Sequence, residues 1–130
     1  MTTPPLTRIL YVEDEPDIQA IARLALETIG GFTVEICSSG SAAVEAASRF
    51  APDLILLDVM MPGMDGIDTF KALREIPQTV TTPVIFMTAK VQKQEIERYK
   101  ELGAVDVIPK PFDPMTLAAV IKDIWQRRDD

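Results

Sequence analysis

Short apolar blocks alternate along the chain with stretches in which apolar residues return every three or four positions. Ile9-Leu10-Tyr11-Val12, Leu54-Ile55-Leu56-Leu57 and Val84-Ile85-Phe86-Met87 are unbroken by any charged residue. Runs of this length bounded by turn formers read as strands covered on both faces, the pattern of a parallel sheet interior; a strand with one wet face would alternate. They predict a first strand over Arg8 to Val12, a third over Leu54 to Leu57 and a fourth over Val84 to Met87. Phe32 to Cys37, interrupted by Glu35, and Val105 to Ile108, interrupted by Asp106, read as the second and fifth strands.

Between these blocks the period changes to that of a helix. Ile18, Ala22, Ala25 and Ile29 share one face, Pro16 suits a first turn and Gly30-Gly31 a stop. Ser38-Ser39-Gly40-Ser41 offers an N-cap to a helix carrying Ala43, Ala47 and Phe50, which Pro52 closes. Ile67, Phe70 and Leu73 predict a third helix that is closed by Pro77. Ile96, Tyr99 and Leu102 predict a fourth from about Gln92 to Gly103. Asp113 as cap, Pro114 at N1, and Leu117, Val120, Ile121 and Ile124 predict the last.

Five strand-helix units without internal repeat imply an α/β fold: a five-stranded parallel sheet with five helices on both faces and right-handed crossovers. The uninterrupted strands belong in the centre, while Glu35 and Asp106 mark the second and fifth as edges. The order 2-1-3-4-5 satisfies this. It puts the reversal of strand order between strands one and three, where ligands of open α/β sheets bind.

Composition narrows the class. A chain of 130 residues, 47% hydrophobic, predicts a single domain over 1–130, with its core over 8–127, residues 1–7 as an N-terminal tail and no output domain. The net charge of −7 opposes direct binding to nucleic acid and favours proteins or cations as partners. No membrane span or secretory leader is evident, which predicts a cytoplasmic protein. Cys37 is the single cysteine and lies in an apolar segment, the setting of an inert buried thiol; with no histidine in the chain, histidine-based catalysis is excluded.

The chemistry gathers at the carboxyl ends of the strands. Glu13 and Asp14 follow the first strand, Asp58 the third, Thr88 the fourth and Lys110 the fifth. Each alone has an ordinary explanation: acids decorate helix N-termini, threonines cap strand ends, lysines are solvated. Together, three converging carboxylates repel unless a cation joins them, and Mg²⁺, which binds a few carboxylates and keeps several waters, suits an open site. A hydroxyl and an ammonium beside it suit phosphoryl oxygens. The composite predicts phosphoryl transfer to a carboxylate, with Asp58 as nucleophile, Mg²⁺ neutralising charge, and Thr88 and Lys110 holding the phosphoryl group.

These residues resemble the receiver domain of two-component response regulators, from Arg8 to about Arg127. The resemblance rests on the acidic pair after strand one, Asp58 followed by Met-Met-Pro-Gly-Met-Asp-Gly, Thr88-Ala89 and Lys110-Pro111-Phe112. It implies that Asp58 is phosphorylated by a histidine kinase or histidine phosphotransfer protein. It implies Mg²⁺ held by Asp14 and Asp58 side chains and the Met60 carbonyl, with Glu13 acting through water. Ala89 would be the small residue that lets the phosphoryl group approach, and the Lys110–Pro111 peptide would be cis. Many members carry a rotating Tyr or Phe three residues before the lysine. Here that position is Val107, so the switch would rest on Thr88, with the surface change around Lys90 to Leu102.

The family also implies a protein-binding output through the fourth helix, fifth strand and fifth helix. Lys93, Arg98, Tyr99, Glu101, Asp106 and Lys122 are candidate contacts there for a downstream protein or a homodimer. Such a module promotes its own phosphorylation and dephosphorylation but turns over no external substrate. An aspartyl-phosphate phosphatase of the haloacid dehalogenase type is a weaker match, because Met60 stands where its general acid would be. A constitutive binding module indifferent to phosphate would not need Asp58, Thr88 and Lys110 all intact.

Overall fold

The computed structural model describes residues 4–128. Five parallel strands, β1 (Arg8–Val12), β2 (Thr33–Cys37), β3 (Leu54–Asp58), β4 (Val84–Thr88) and β5 (Asp106–Pro109), form one sheet in the order β2-β1-β3-β4-β5. The helices are α1 (Pro16–Arg23), α2 (Gly40–Phe50), α3 (Gly66–Leu73), α4 (Lys93–Leu102) and α5 (Leu117–Arg127). The central strands are buried over nearly their whole length, and the strands broken by Glu35 and Asp106 lie at the edges, as the charge pattern requires.

Alternation along the strands divides the core in two. Leu10, Val12, Ile55, Leu57, Val84 and Phe86 pack under α2, α3 and α4, while Ile9, Tyr11, Leu54, Leu56, Ile85 and Met87 pack under α1 and α5. Phe86 stands edge to face with Phe70 of α3 and Tyr99 of α4, at centroid distances of 5.5 and 5.3 Å. Ser39 caps α2 through the Ala42 N–H, and Asp65 caps α3 through the Asp68 N–H. Cys37 is buried, and burial together with the nearby Glu35 carboxylate pushes its thiol up to about 11. Trp125 is buried on α5 and donates from its indole N–H to the Pro4 carbonyl at 2.7 Å, tying the N-terminal segment to the last helix.

Some boundaries and faces depart from the sequence reading. α1 runs directly into a π-helical stretch, Leu24–Ile29, closed by a bond from Gly30 N to Ala25 O at 3.0 Å. Ala25 is buried as expected, but the wider turn leaves Ile29 42% exposed and turns Leu26 inward in its place. On α4 only Tyr99 is buried, because the helix lies near the edge strand and leaves Ile96 and Leu102 half covered. Val120 is exposed, since the buried stripe of α5 is centred on Ile121 and Trp125. Asp113 accepts from Met115 N, but the helix proper begins only at Leu117, after a turn.

Gly66 sits where the chain returns from the loop after β3, with its N–H on the Val59 carbonyl at 3.0 Å. A Cβ there would meet the Asp58 carbonyl oxygen and come within 2.6 Å of the Val59 Cα. Gly66→Ala is therefore expected to cost about 1–3 kcal/mol of stability in urea unfolding. An unchanged midpoint would show that the loop can retreat without strain.

Candidate functional site

Register brings the functional residues level with one another. Val12 pairs with Leu57, so Glu13 and Asp58 stand side by side across the β1–β3 junction. Thr88 pairs with Pro109, so Lys110 follows one residue beyond, its N–H on the Thr88 carbonyl at 3.0 Å. Alternation adds the second coordinate. Continuing Ile9–Tyr11–Glu13 and Leu54–Leu56–Asp58 turns both carboxylates toward the α1/α5 side, at the strand-order reversal.

Lys110 reaches across from the β5–α5 loop to join them. Its Nζ lies 2.9 Å from Glu13 Oε1 and 3.3 Å from Asp58 Oδ2. Glu13 is fully buried and Asp58 nearly so. Two acids at this depth without the ammonium would be costly, because burial and mutual repulsion both disfavour their charged forms.

The environment separates the two acids. Burial raises the Glu13 carboxyl, but hydrogen bonds from Lys110 and the Glu15 N–H, the Lys110 charge and the Tyr11 hydroxyl together bring it below the usual glutamate range. For Asp58 burial and the Glu13 charge prevail over Lys110 and the Met60 N–H, raising it from 3.8 to about 6. Burial pulls the Lys110 ammonium down, but its bond to Glu13 and both carboxylate charges lift it above its ordinary value.

Asp14 completes the cluster. Glu13, Asp14 and Asp58 each present a carboxylate oxygen, all within 4.8 Å of one another. Three hard oxygen donors this close together fit a hard divalent cation, and do not fit a soft metal. Thr88 is buried at the end of β4 and its Oγ1 accepts from Lys90 N at 3.1 Å. Ala89 follows, exposed, and Met60 is 63% exposed beside Asp58. Val107 is half-buried against the Phe70–Phe86–Tyr99 layer. The Lys110–Pro111 peptide is cis.

The sequence reading missed Tyr11. Its hydroxyl donates to Glu13 Oε1 at 3.2 Å. The signal was present in the strand period, since residues two apart on an extended chain share a face, but a tyrosine within an apolar run reads as core.

A parallel α/β sheet of this order, with an acidic cluster and a lysine at its switch point, can be set beside known proteins. The family model described as the response regulator receiver domain matches residues 9–122. The CpxR transcriptional regulatory protein of Escherichia coli is 41% identical over 122 residues, covering 94% of this chain and 50% of its own. The DNA-binding response regulator MtrA of Mycolicibacterium smegmatis is 36% identical over 123 residues, covering 95% and 52%. Among solved structures, the chemotaxis response regulator CheY4 of Vibrio cholerae superposes with a TM-score of 0.84 at 29% identity, covering 92% of this chain and 99% of that one. A response regulator from Desulfuromonas acetoxidans gives 0.81 at 31% identity, covering 91% and 95%. The chain belongs to the response regulator receiver domain family, and so to the phospho-acceptor modules of two-component signalling. It spans about half the length of the curated relatives it matches.

The raised Asp58 and lowered Glu13 act in opposite senses on folding. Asp58 binds its proton more tightly in the native state, so its contribution to stability is present below 3.8 and lost as pH rises through about 6. Glu13 contributes stability at neutral pH that is lost as pH falls through its lowered native value. In metal-free protein, ¹³C NMR of the Asp58 carboxyl is expected to give a midpoint near 6, moving higher in Lys110→Met. A midpoint at the ordinary aspartate value would contradict the assigned burial and charge balance.

Proposed function

We propose that this chain accepts a phosphoryl group on Asp58 from a histidine kinase or a histidine phosphotransfer protein, as a single receiver module. The observation that carries the reading is the contact of one lysine, Lys110, with both Glu13 and Asp58 at the carboxyl edge of the sheet. In the transfer an Asp58 carboxylate oxygen forms a bond to phosphorus as the phosphorus–nitrogen bond of the phosphohistidine breaks and the imidazole leaves. Lys110, already within 3.3 Å of Asp58, follows the charge onto a phosphoryl oxygen, and the buried Thr88 hydroxyl offers a second donor.

Mg²⁺ would be held by the Asp14 and Asp58 side chains and the Met60 carbonyl, with Glu13 contributing through a water, and it supplies charge neutralisation for the phosphoryl group. Both Glu13 oxygens already accept protein donors, which favours an outer role for Glu13. Ala89, without side-chain bulk beyond Cβ, leaves the approach to Asp58 open.

The output is a change of surface that alters protein–protein contact in the cytoplasm. Among the described residues no helix is long and apolar enough to cross a membrane. Asp106 on β5 meets Lys100 of α4 at 3.7 Å and Arg127 of α5 at 3.8 Å. These long ion pairs, with exposed cations on a half-buried Asp106, can be exchanged for contacts to a downstream protein or a second copy.

Incubation with acetyl phosphate and Mg²⁺ is expected to add one phosphoryl mass to the intact protein, and Asp58→Asn to abolish the increment. Absence of the increment in folded wild-type protein would instead identify a phosphate-independent binding module. With Val107 in place of an aromatic switch, the response is expected to travel from Thr88 through its bond with the Lys90 N–H into α4. Beryllofluoride should then shift amide NMR signals from Lys90 to Leu102. Unchanged signals in that segment would rule out this route.

A further inference from the structure

Tyr11 is fully buried among aliphatic side chains of the α1/α5 layer, yet its hydroxyl leaves that layer to donate to Glu13 Oε1 at 3.2 Å. The same oxygen accepts Lys110 Nζ at 2.9 Å, while Glu13 Oε2 accepts the Glu15 N–H at 3.1 Å. One carboxylate oxygen therefore serves two donors of different kinds. The phenol is fixed by the core; the ammonium rides on a flexible stem and is also within 3.3 Å of Asp58 Oδ2. Burial, then the Glu13 carboxylate, push the phenol well above its ordinary value, so it remains a donor throughout the working range of pH.

Resting on the reading of Asp58 as phosphoryl acceptor, we propose that Tyr11 is a positioning residue for that site, sharing Glu13 Oε1 so that Lys110 can pass from Glu13 to the phosphoryl oxygens. Glu13 is fully buried, and a buried carboxylate oxygen stripped of its donor is penalised by its lost solvation. The Tyr11 hydroxyl keeps that oxygen satisfied when Lys110 leaves. Without it, Glu13 Oε1 has Lys110 as its one remaining donor and holds the ammonium back. The arrangement depends on glutamate: a carboxylate drawn back by one methylene leaves the range of a hydroxyl that already stands at 3.2 Å.

The test is the rate of phosphorylation by acetyl phosphate at saturating Mg²⁺, in which the Asp58 oxygen–phosphorus bond forms as the phosphorus–oxygen bond to acetate breaks and acetate leaves. Wild type, Tyr11→Phe, Glu13→Asp and the double variant are compared. Tyr11→Phe is expected to slow the wild-type background roughly tenfold, the scale of one hydrogen bond to a charged group, and to change the Glu13→Asp background little. Equal rates for wild type and Tyr11→Phe would overturn the proposal. So would the same loss in both backgrounds, which is the signature of packing alone. A second readout does not depend on turnover: exchange of the Lys110 ammonium hydrogens with water, followed by ¹⁵N NMR, is expected to slow in Tyr11→Phe as Glu13 tightens on Lys110. Unchanged or faster exchange would also overturn it. If folded wild type takes up no phosphoryl group, the acceptor reading fails and takes this inference with it.

Discussion

The site depends on one ammonium held between two buried carboxylates. Lys110 touches Glu13 and Asp58 at once, and each acid would be expensive to bury as an anion without it. The contact joins the loop after β5 to the ends of β1 and β3, across the sheet from one side of the switch point to the other. Its asymmetry matters as much as its presence. Glu13 receives most of the donors and is held as an anion, while Asp58, buried beside the Glu13 charge, is left with a raised affinity for protons.

That asymmetry follows from elementary features of a parallel sheet. The register of β1 on β3 sets Glu13 and Asp58 at one level, strand alternation turns them to one side, and the strand order places them at the reversal between β1 and β3. Thr88 ends β4 on the other parity, with its hydroxyl on the Lys90 N–H rather than in the carboxylate cluster. It is therefore suited to report on the site to the β4–α4 loop. The Phe70–Phe86–Tyr99 aromatic layer packs beneath α3 and α4.

Much of this was legible in the residues because the central strands carry a strong signal. Unbroken apolar runs at Ile9, Leu54 and Val84 locate β1, β3 and β4, and single acids at Glu35 and Asp106 locate the edges. Helix faces were less legible where local geometry departs from 3.6 residues per turn. Ile29 fits an ideal stripe, but the π-helical turn before Gly30 rotates it outward. α4 lies near a short edge strand, so a stripe of Ile96, Tyr99 and Leu102 need not be buried along its length. Of the site, the charged members were visible from their position after each strand. Tyr11 was not, because its ring belongs to the core and only its hydroxyl belongs to the site.

A crystal structure with Mg²⁺ and beryllofluoride tests the dependence of the site on Lys110. Beryllofluoride is expected on an Asp58 carboxylate oxygen, with Lys110 Nζ moved from Glu13 onto a fluorine, Thr88 Oγ1 turned from Lys90 toward another, and Tyr11 still bonded to Glu13. A structure in which beryllofluoride leaves Asp58 free, or in which it binds while Lys110 stays on Glu13, would contradict it.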